Sequence, residues 1–232
     1  MIRFLRLASL VSVAILLGYT AVRWGGLWRV ERVEILGANQ LSASTLTKLS
    51  QSVKGANILR LDLEGIKDRV EGERWVKRAR IKVDFFARAV VIHITERKPV
   101  ARIGFEGGTA VWVDDEGVAL QPADSAVLCG VEPTSGPLPR EVVAAAKALE
   151  KLDPDFLTLF PCFDASDPDD VVAKSSGGTT VIRCGPIGNL TRKVAILNEL
   201  WRERGRANLD LTAYAEVDLR WDDEVVLKPR LP

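Results

Sequence analysis

The spacing of apolar positions falls into three successive patterns along the chain. From Leu7 to Val22 no residue is charged (LASLVSVAILLGYTAV). As a helix this run covers about 24 Å, against about 30 Å for a bilayer core. Arg6 and Arg23 extend it by snorkelling, and Trp24 and Trp28 suit an interfacial aromatic belt. The run predicts a transmembrane helix over residues 7–24 behind a short tail, residues 1–6. A cleaved signal peptide has the same basic start. No A-x-A-like site follows the run, only Thr20-Ala21-Val22-Arg23-Trp24, which favours an uncleaved anchor. The Lys/Arg count on the two sides does not set the orientation. A short basic tail is the easier end to leave behind, and long domains translocate largely regardless of charge. The expectation is an N-terminus inside and a C-terminus outside the cytoplasmic membrane.

After Trp28 the periods are those of a folded domain. Arg29 to Leu36 predicts a strand ending at the turn Gly37-Ala38-Asn39-Gln40. Ser42 has the place of a helix N-cap. Leu46, Leu49 and Val53 follow at helical spacing, and Gly55 stops them. Asp62 is a second N-cap, followed by Leu63, Ile66 and Val70 before Gly72. Then Ala79, Ile81, Val83 and Phe85 alternate with Arg78, Arg80, Lys82 and Asp84, and Val90, Ile92 and Ile94 alternate with Val91, His93 and Thr95. The order is β-α-α-β-β, a sheet with helices on one face. Leu46, Leu49, Leu63, Ile66, Ile81, Val83 and Ile92 are its expected core.

Beyond Pro99 the elements are shorter. Val111-Trp112-Val113 and Val118-Ala119-Leu120 flank the turn Asp114-Asp115-Glu116-Gly117. A helix is predicted over Arg140–Leu152, stopped by Asp153-Pro154. Val171-Val172-Ala173 and Thr179 to Cys184 form a second hairpin. A helix starts near Asn189, with Leu190, Val194, Leu197 and Trp201 as its stripe. Ala215, Val217, Leu219 and Trp221 then alternate with Glu216, Asp218 and Arg220, and Asp222-Asp223 turns the chain into Val225-Val226-Leu227. The second half is expected to be a mainly antiparallel sheet with two helices, so the fold class is α+β.

The 232 residues and 47% hydrophobic content allow an anchor and one or two real cores. Without Arg3, Arg6 and Arg23 the chain keeps 29 basic against 31 acidic residues, which gives no electrostatic case for nucleic acid. Three cysteines, Cys129, Cys162 and Cys184, without C-x-x-C spacing, argue against a zinc site or a disulfide framework and for buried free thiols. His93 is the single histidine, on the face opposite Ile92 and Ile94, and is expected to be a surface residue. Asp164, Asp167, Asp169 and Asp170 lack the spacing of a calcium loop and predict a solvated loop. No P-loop, G-x-S-x-G or H-E-x-x-H occurs. No catalytic constellation, metal or cofactor is expected.

What remains is surface for partners. A sheet that ends on a C-terminal hairpin leaves its last strand on an edge, where free N–H and C=O groups can receive a partner strand. Val226 is expected to offer such a donor. The same pattern fits an edge blocked by its own Lys228 and Pro229.

Three segments in order resemble a POTRA domain: Val30-Glu31-Arg32-Val33-Glu34-Ile35-Leu36-Gly37-Ala38-Asn39, Gly55-Ala56-Asn57-Ile58-Leu59-Arg60-Leu61-Asp62 and Trp75-Val76-Lys77-Arg78-Ala79. The continuation Ile92-His93-Ile94-Thr95-Glu96-Arg97-Lys98-Pro99-Val100-Ala101, with Val113 to Gly117, Lys193 to Leu200, Glu216 to Arg220 and Val225 to Leu227, is similar to the FtsQ/DivIB family of bacterial cell-division proteins. The chain departs from that pattern at Arg74 and at Phe86-Ala87-Arg88, where members often carry proline. The resemblance implies a POTRA domain over residues 29–98 and an FtsQ-type β-domain over residues 99–232. It implies a non-enzymatic scaffold, single-pass in the cytoplasmic membrane and enriched at the division septum. Its partners would be divisome membrane proteins, notably the FtsB/FtsL pair, added as a strand beside Trp221, Glu224, Val225, Val226, Leu227 and Lys228, with other division proteins on the POTRA domain. The competing classes are a POTRA component of an outer-membrane assembly or secretion system and an envelope enzyme. Too few strands follow Lys98 for a membrane barrel.

Overall fold

A computed structural model describes residues 2–24, 28–204, 210–221 and 224–230 of the chain. The apolar run is helical, α1 (Ile2–Trp24). Among the described residues no helix is long and apolar enough to cross a membrane. The side chains described in α1 run from Ser9 to Thr20, about 18 Å of helix. Those of Arg6, Arg23 and Trp24, expected at the interface, lie outside the described residues. Trp28, expected there too, is instead partly buried and packs on the core that follows.

The remainder separates into two compact units at Arg97/Lys98. In the first, β1 (Arg32–Leu36), α2 (Ala43–Val53), α3 (Leu63–Glu71), β2 (Val76–Asp84) and β3 (Ala89–Glu96) follow in the expected β-α-α-β-β order. The sheet order is β1-β3-β2, with β1 parallel and β2 antiparallel to β3. Both expected N-caps form: Ser42 Oγ accepts from Thr45 N at 3.2 Å and Asp62 Oδ1 from Gly65 N at 2.9 Å. Leu49, Val53, Ile58, Ile66 and Val70 bury one sheet face against Val76, Ala79, Val90, Ile92 and Ile94. Ile81 and Val83 pack at its margin. Two expected core residues do not belong to this core: Leu46 is only half-buried in the first turn of α2, and Leu63 is exposed at the first helical position of α3.

The second unit is one nine-stranded sheet. Its strands are β4 (Ala101–Phe105), β5 (Ala110–Val113), β6 (Ala119–Pro122), β7 (Leu128–Val131), β8 (Phe163–Asp164), β9 (Val171–Lys174), β10 (Val181–Gly185), β11 (Tyr214–Asp218) and β12 (Val226–Pro229). The spatial order is β12-β11-β10-β9-β8-β7-β4-β5-β6. Five of its eight pairings are antiparallel, as expected of a mainly antiparallel sheet, and two features go beyond that expectation. Three pairings are parallel, β4–β7, β7–β8 and β10–β11. Three α-helices are present rather than two: α4 (Arg140–Leu149), α5 (Pro154–Leu159) and α6 (Leu190–Glu203). The two differences have one cause, since α4 and α5 cross from β7 to β8 and α6 from β10 to β11, and a parallel neighbour needs such a crossover. Helices α4 and α6 pack on each other and on the sheet. Phe156, Phe160 and Phe163 are fully buried, and Trp201 meets Phe156 edge-on at 5.2 Å between centroids. At the Asp114–Gly117 turn a Cβ on Gly117 (φ 82°) would collide with the Leu138 backbone, so only glycine fits there.

The cysteines depart from expectation. Cys129 and Cys162 form a disulfide, with Cα atoms 6.1 Å apart, within the normal range. The parallel pairing of β7 and β8 sets Leu128 opposite Phe163 and so makes the two cysteines neighbours. Cys184 is a buried free thiol as expected, its pKa pushed up to about 12, mainly by burial.

Candidate partner-binding edge

The C-terminal hairpin lies at one end of the nine-stranded sheet. β12 pairs antiparallel with β11, setting Lys228 opposite Glu216, Leu227 opposite Val217 and Val226 opposite Asp218. Among the described residues no strand pairs with its other side. Val225 and Leu227 lie on the core side, half-buried. Val226, Lys228, Pro229 and Glu224 are exposed. The expected turn residues Asp222 and Asp223 lie outside the described residues.

Hydrogen-bond direction alternates along a strand, and one bond fixes its phase here. Leu219 N donates to Arg183 O on β10 at 2.8 Å. Leu219 and Val217 therefore turn their backbone groups to β10, and Glu216 and Asp218 turn theirs to β12. Their partners Lys228 and Val226 accordingly point inward, at β11. The expectation that Val226 offers a donor to a partner is thus corrected. The outward positions are Leu227 and Pro229, and proline has no N–H to leave unmet. Leu227 is the outward donor on the strand.

Side chains pin this hairpin from both ends. Lys228 Nζ meets Glu216 Oε1 at 2.7 Å. Arg230 Nη2 donates to Thr212 O at 2.6 Å and to Thr180 Oγ1 at 3.1 Å. At the other end Asp218, 3% exposed, takes Arg220 Nη2 at 2.7 Å and the Arg220 backbone N–H at 3.0 Å. The hydrogen bonds from Arg220, against the opposing effect of burial, hold the Asp218 carboxyl below the usual carboxylate range. This local ring ends β11 at Asp218, so Trp221 is not a strand residue, contrary to the alternation that predicted one. The fully buried Lys193 of α6 extends its ammonium to Trp221 O at 2.9 Å. With its backbone held there, the Trp221 side chain is left 62% exposed. A core position for Trp221 is thereby excluded.

The structure thus places Val226, Leu227 and Lys228 on one edge strand, with Glu224 and Val225 leading into it and Trp221 three residues before Glu224. Asp218, Arg220, Lys193 and Arg230, which shape that edge, have no signal in the hydrophobic pattern. Asp218-x-Arg220 is the one pair whose spacing suggests a local ion pair. His93 lies half-buried on the open face of the three-stranded sheet. The aspartates of the 164–170 loop serve as local caps, with Asp164 holding Ser166 N at 3.0 Å and Asp170 paired to Arg183. Among the described residues no cluster of His, Cys, Asp and Glu has metal-site geometry.

Residues 28–97 match the FtsQ-type POTRA domain. The whole chain is similar to the cell division protein FtsQ of Salinibacter ruber, 25% identical across 95% of this chain and 90% of that protein. It is 23% identical to FtsQ of Corynebacterium glutamicum across 78% of this chain and 82% of that protein. With FtsQ of Rhodothermus marinus the identity is 32% across 59% and 52%. The chain is thus similar to FtsQ cell-division proteins, and its first unit to the FtsQ-type POTRA domain. The Salinibacter match covers enough of the chain to span both units.

Proposed function

We propose that this chain is a non-enzymatic scaffold of bacterial cell division that captures membrane-bound division proteins by strand addition at β12. The carrying observation is the free outer side of β12 in a chain similar to FtsQ over nearly its whole length. Backbone groups at Leu227 supply sequence-tolerant affinity, and alternate side chains supply specificity. Trp221 is the aromatic anchor beside the strand. The partner is an extended segment of a divisome membrane protein, with the FtsB/FtsL pair as the first candidate.

The same reading makes α1 the single membrane anchor. Its 23 residues give about 35 Å of helix, enough for a core of about 30 Å, and Leu7–Val22 is free of charge. The tail lies in the cytoplasm and both units outside, at the septum. The Cys129–Cys162 disulfide supports that placement, because such bonds persist in oxidising compartments.

The test is capture from membranes by the tagged full chain. Leu227→Pro removes the outward donor and leaves the β11 ladder intact, so it should lose capture and stay folded, with the melting temperature lowered only as far as Leu227→Ala lowers it through the lost half-buried side chain. Val226→Pro removes an inward donor and should also destabilise the hairpin. A fluorescent fusion should form a midcell band. Undiminished capture by folded Leu227→Pro, with Trp221→Ala also silent, places the interface elsewhere.

A further inference from the structure

The first unit carries a feature that its core does not use. The β2–β3 hairpin closes through Phe85-Phe86-Ala87-Arg88, and at its tip Phe86 is fully exposed and Phe85 half-exposed. These two rings are held out by the backbone. Asp84 Oδ1 accepts from Phe86 N at 3.0 Å and from Ala87 N at 2.9 Å, and Arg88 takes a left-handed φ of 49°. A two-ring apolar tip fixed in water is costly unless something covers it.

The topology says where the tip lies. Because β1 and β3 are parallel, the start of β1 sits beside the start of β3, Arg32 opposite Ala89. Glu31 N donates to Arg88 O at 2.9 Å, and Arg88 Nη1 meets Glu31 Oε1 at 2.8 Å. The tip therefore stands at the end of the sheet where the chain arrives from α1. Trp28, packed on this core, is four residues past the last residue of α1. Four residues reach at most about 14 Å. Leu59, half-exposed two residues beyond Asn57, belongs to the same end through the Arg29–Asn57 bridge. Behind the tip, Arg78, Arg80 and Lys82 stand exposed along one face of β2.

We propose that the Phe85–Phe86 tip inserts into the interfacial layer of the bilayer that holds α1, with anionic lipid headgroups as the partners of the β2 cations. This rests on the anchor proposed above. Aromatic rings are favoured at the headgroup level, and basic residues near an anionic surface add attraction that salt weakens. A helix and a hairpin tip are then two points of attachment. Together they fix the orientation of the first unit at the membrane surface, which a single point of attachment does not.

The experiment uses the full chain in vesicles of phosphatidylethanolamine and phosphatidylglycerol. A nitroxide is placed at Ala87→Cys, beside both rings and leaving them intact, and in a second protein at Thr95→Cys, exposed near the far end of β3. The position 87 label should relax with oxygen in the lipid and be shielded from an aqueous nickel chelate. The position 95 label should do the reverse. Phe85→Ser/Phe86→Ser should return position 87 to the aqueous pattern with an unchanged melting temperature. If position 87 reads as aqueous as position 95 while the chain resists carbonate extraction, the tip contact is overturned and the anchor stands. If carbonate strips the chain from the vesicles, the anchor falls and the tip contact with it.

Discussion

In the three-stranded sheet the edge strand β2 is nine residues long and carries Lys77, Arg78, Arg80 and Lys82. In the nine-stranded sheet the edge strand β12 is four residues long and carries one lysine, already paired with Glu216. Exposed charge along an edge repels a second strand, and shortness limits what an edge can recruit. β2 uses the first defence. β12 relies on the second and on Pro229, and its single charge is cancelled from within the sheet. On the function proposed above, the same kind of element is guarded in one unit and left receptive in the other, and the side chains at the edge, not the strand itself, make the difference.

The largest change should come from removing the support of the receptive edge altogether. Phe156 is fully buried among Phe160, Phe163 and Trp201. Truncating a buried phenylalanine costs about 3–5 kcal/mol, a large part of a domain's stability. Phe156→Ala should lower the melting of the nine-stranded unit and abolish capture while circular dichroism still reports the first unit folded. Capture that survives loss of the nine-stranded sheet would move the receptive edge to β2.

A smaller effect is expected at Lys193. Its ammonium is buried and donates to the Trp221 carbonyl, which ties the tryptophan backbone to α6. Lys193→Met keeps most of the volume and removes the donor. Leaving a buried carbonyl unmet costs about 1–3 kcal/mol, offset in part by relief from burying a charge. Amide exchange should rise around 219–226 before it rises in β10, and partner dissociation should quicken. An unchanged exchange pattern would show that Trp221 is held without the lysine.

How far these features were legible follows from where the ordering information sits. The first unit is written in local signals: period-two strands, helical stripes behind Ser42 and Asp62, glycine stops. Its two misread core residues are Leu46, in the first turn of α2, and Leu63, in the first turn of α3, where spacing alone does not fix which way a side chain points. The second unit depends on non-local pairing. β8 has two residues, too few for any period, yet it brings Cys162 to Cys129 across 33 positions. The edge itself was legible as a closing hairpin. Its polarity was not, because the outward donor depends on the phase set by the Leu219–Arg183 bond. Trp221 was read into the strand because hydrophobic alternation continues through Leu219 while the Asp218–Arg220 ring ends the ladder.

Acid should loosen the receptive edge without touching the guarded one. Hydrogen bonds from Arg220 hold the Asp218 pKa below its ordinary 3.8. A depressed folded pKa gives stability that is complete above about pH 4 and is lost as pH falls through the lower, folded value. Between neutrality and pH 4 capture and hairpin exchange should stay flat with respect to this group, and below that the β11–β12 hairpin should open. Asp218→Asn should remove that acid sensitivity. A hairpin that opens at the same pH in Asp218→Asn would assign the transition to another carboxylate.

The least effect should come from the one ion pair on the receptive edge. Lys228 and Glu216 are cross-strand neighbours at 2.7 Å, with half of the lysine side chain in water. Exposed pairs of this kind contribute about 0.2–1 kcal/mol, so Lys228→Ala should leave the melting temperature nearly unchanged. Its consequence for the comparison of edges is larger than for stability. Removing the lysine leaves the Glu216 carboxylate uncancelled beside the outer strand, which gives β12 the kind of bare charge that guards β2, with the opposite sign. An acidic partner segment should then bind more weakly at low salt and regain affinity as salt rises, because a screened charge repels less. A neutral partner segment should bind alike at every salt concentration. Lys228→Gln, which also leaves the carboxylate bare, should behave as Lys228→Ala does, whereas Lys228→Arg should behave as the native chain. If all three variants capture equally at low and high salt, edge charge does not control access to β12, and strand length and Pro229 alone set the difference between the two edges.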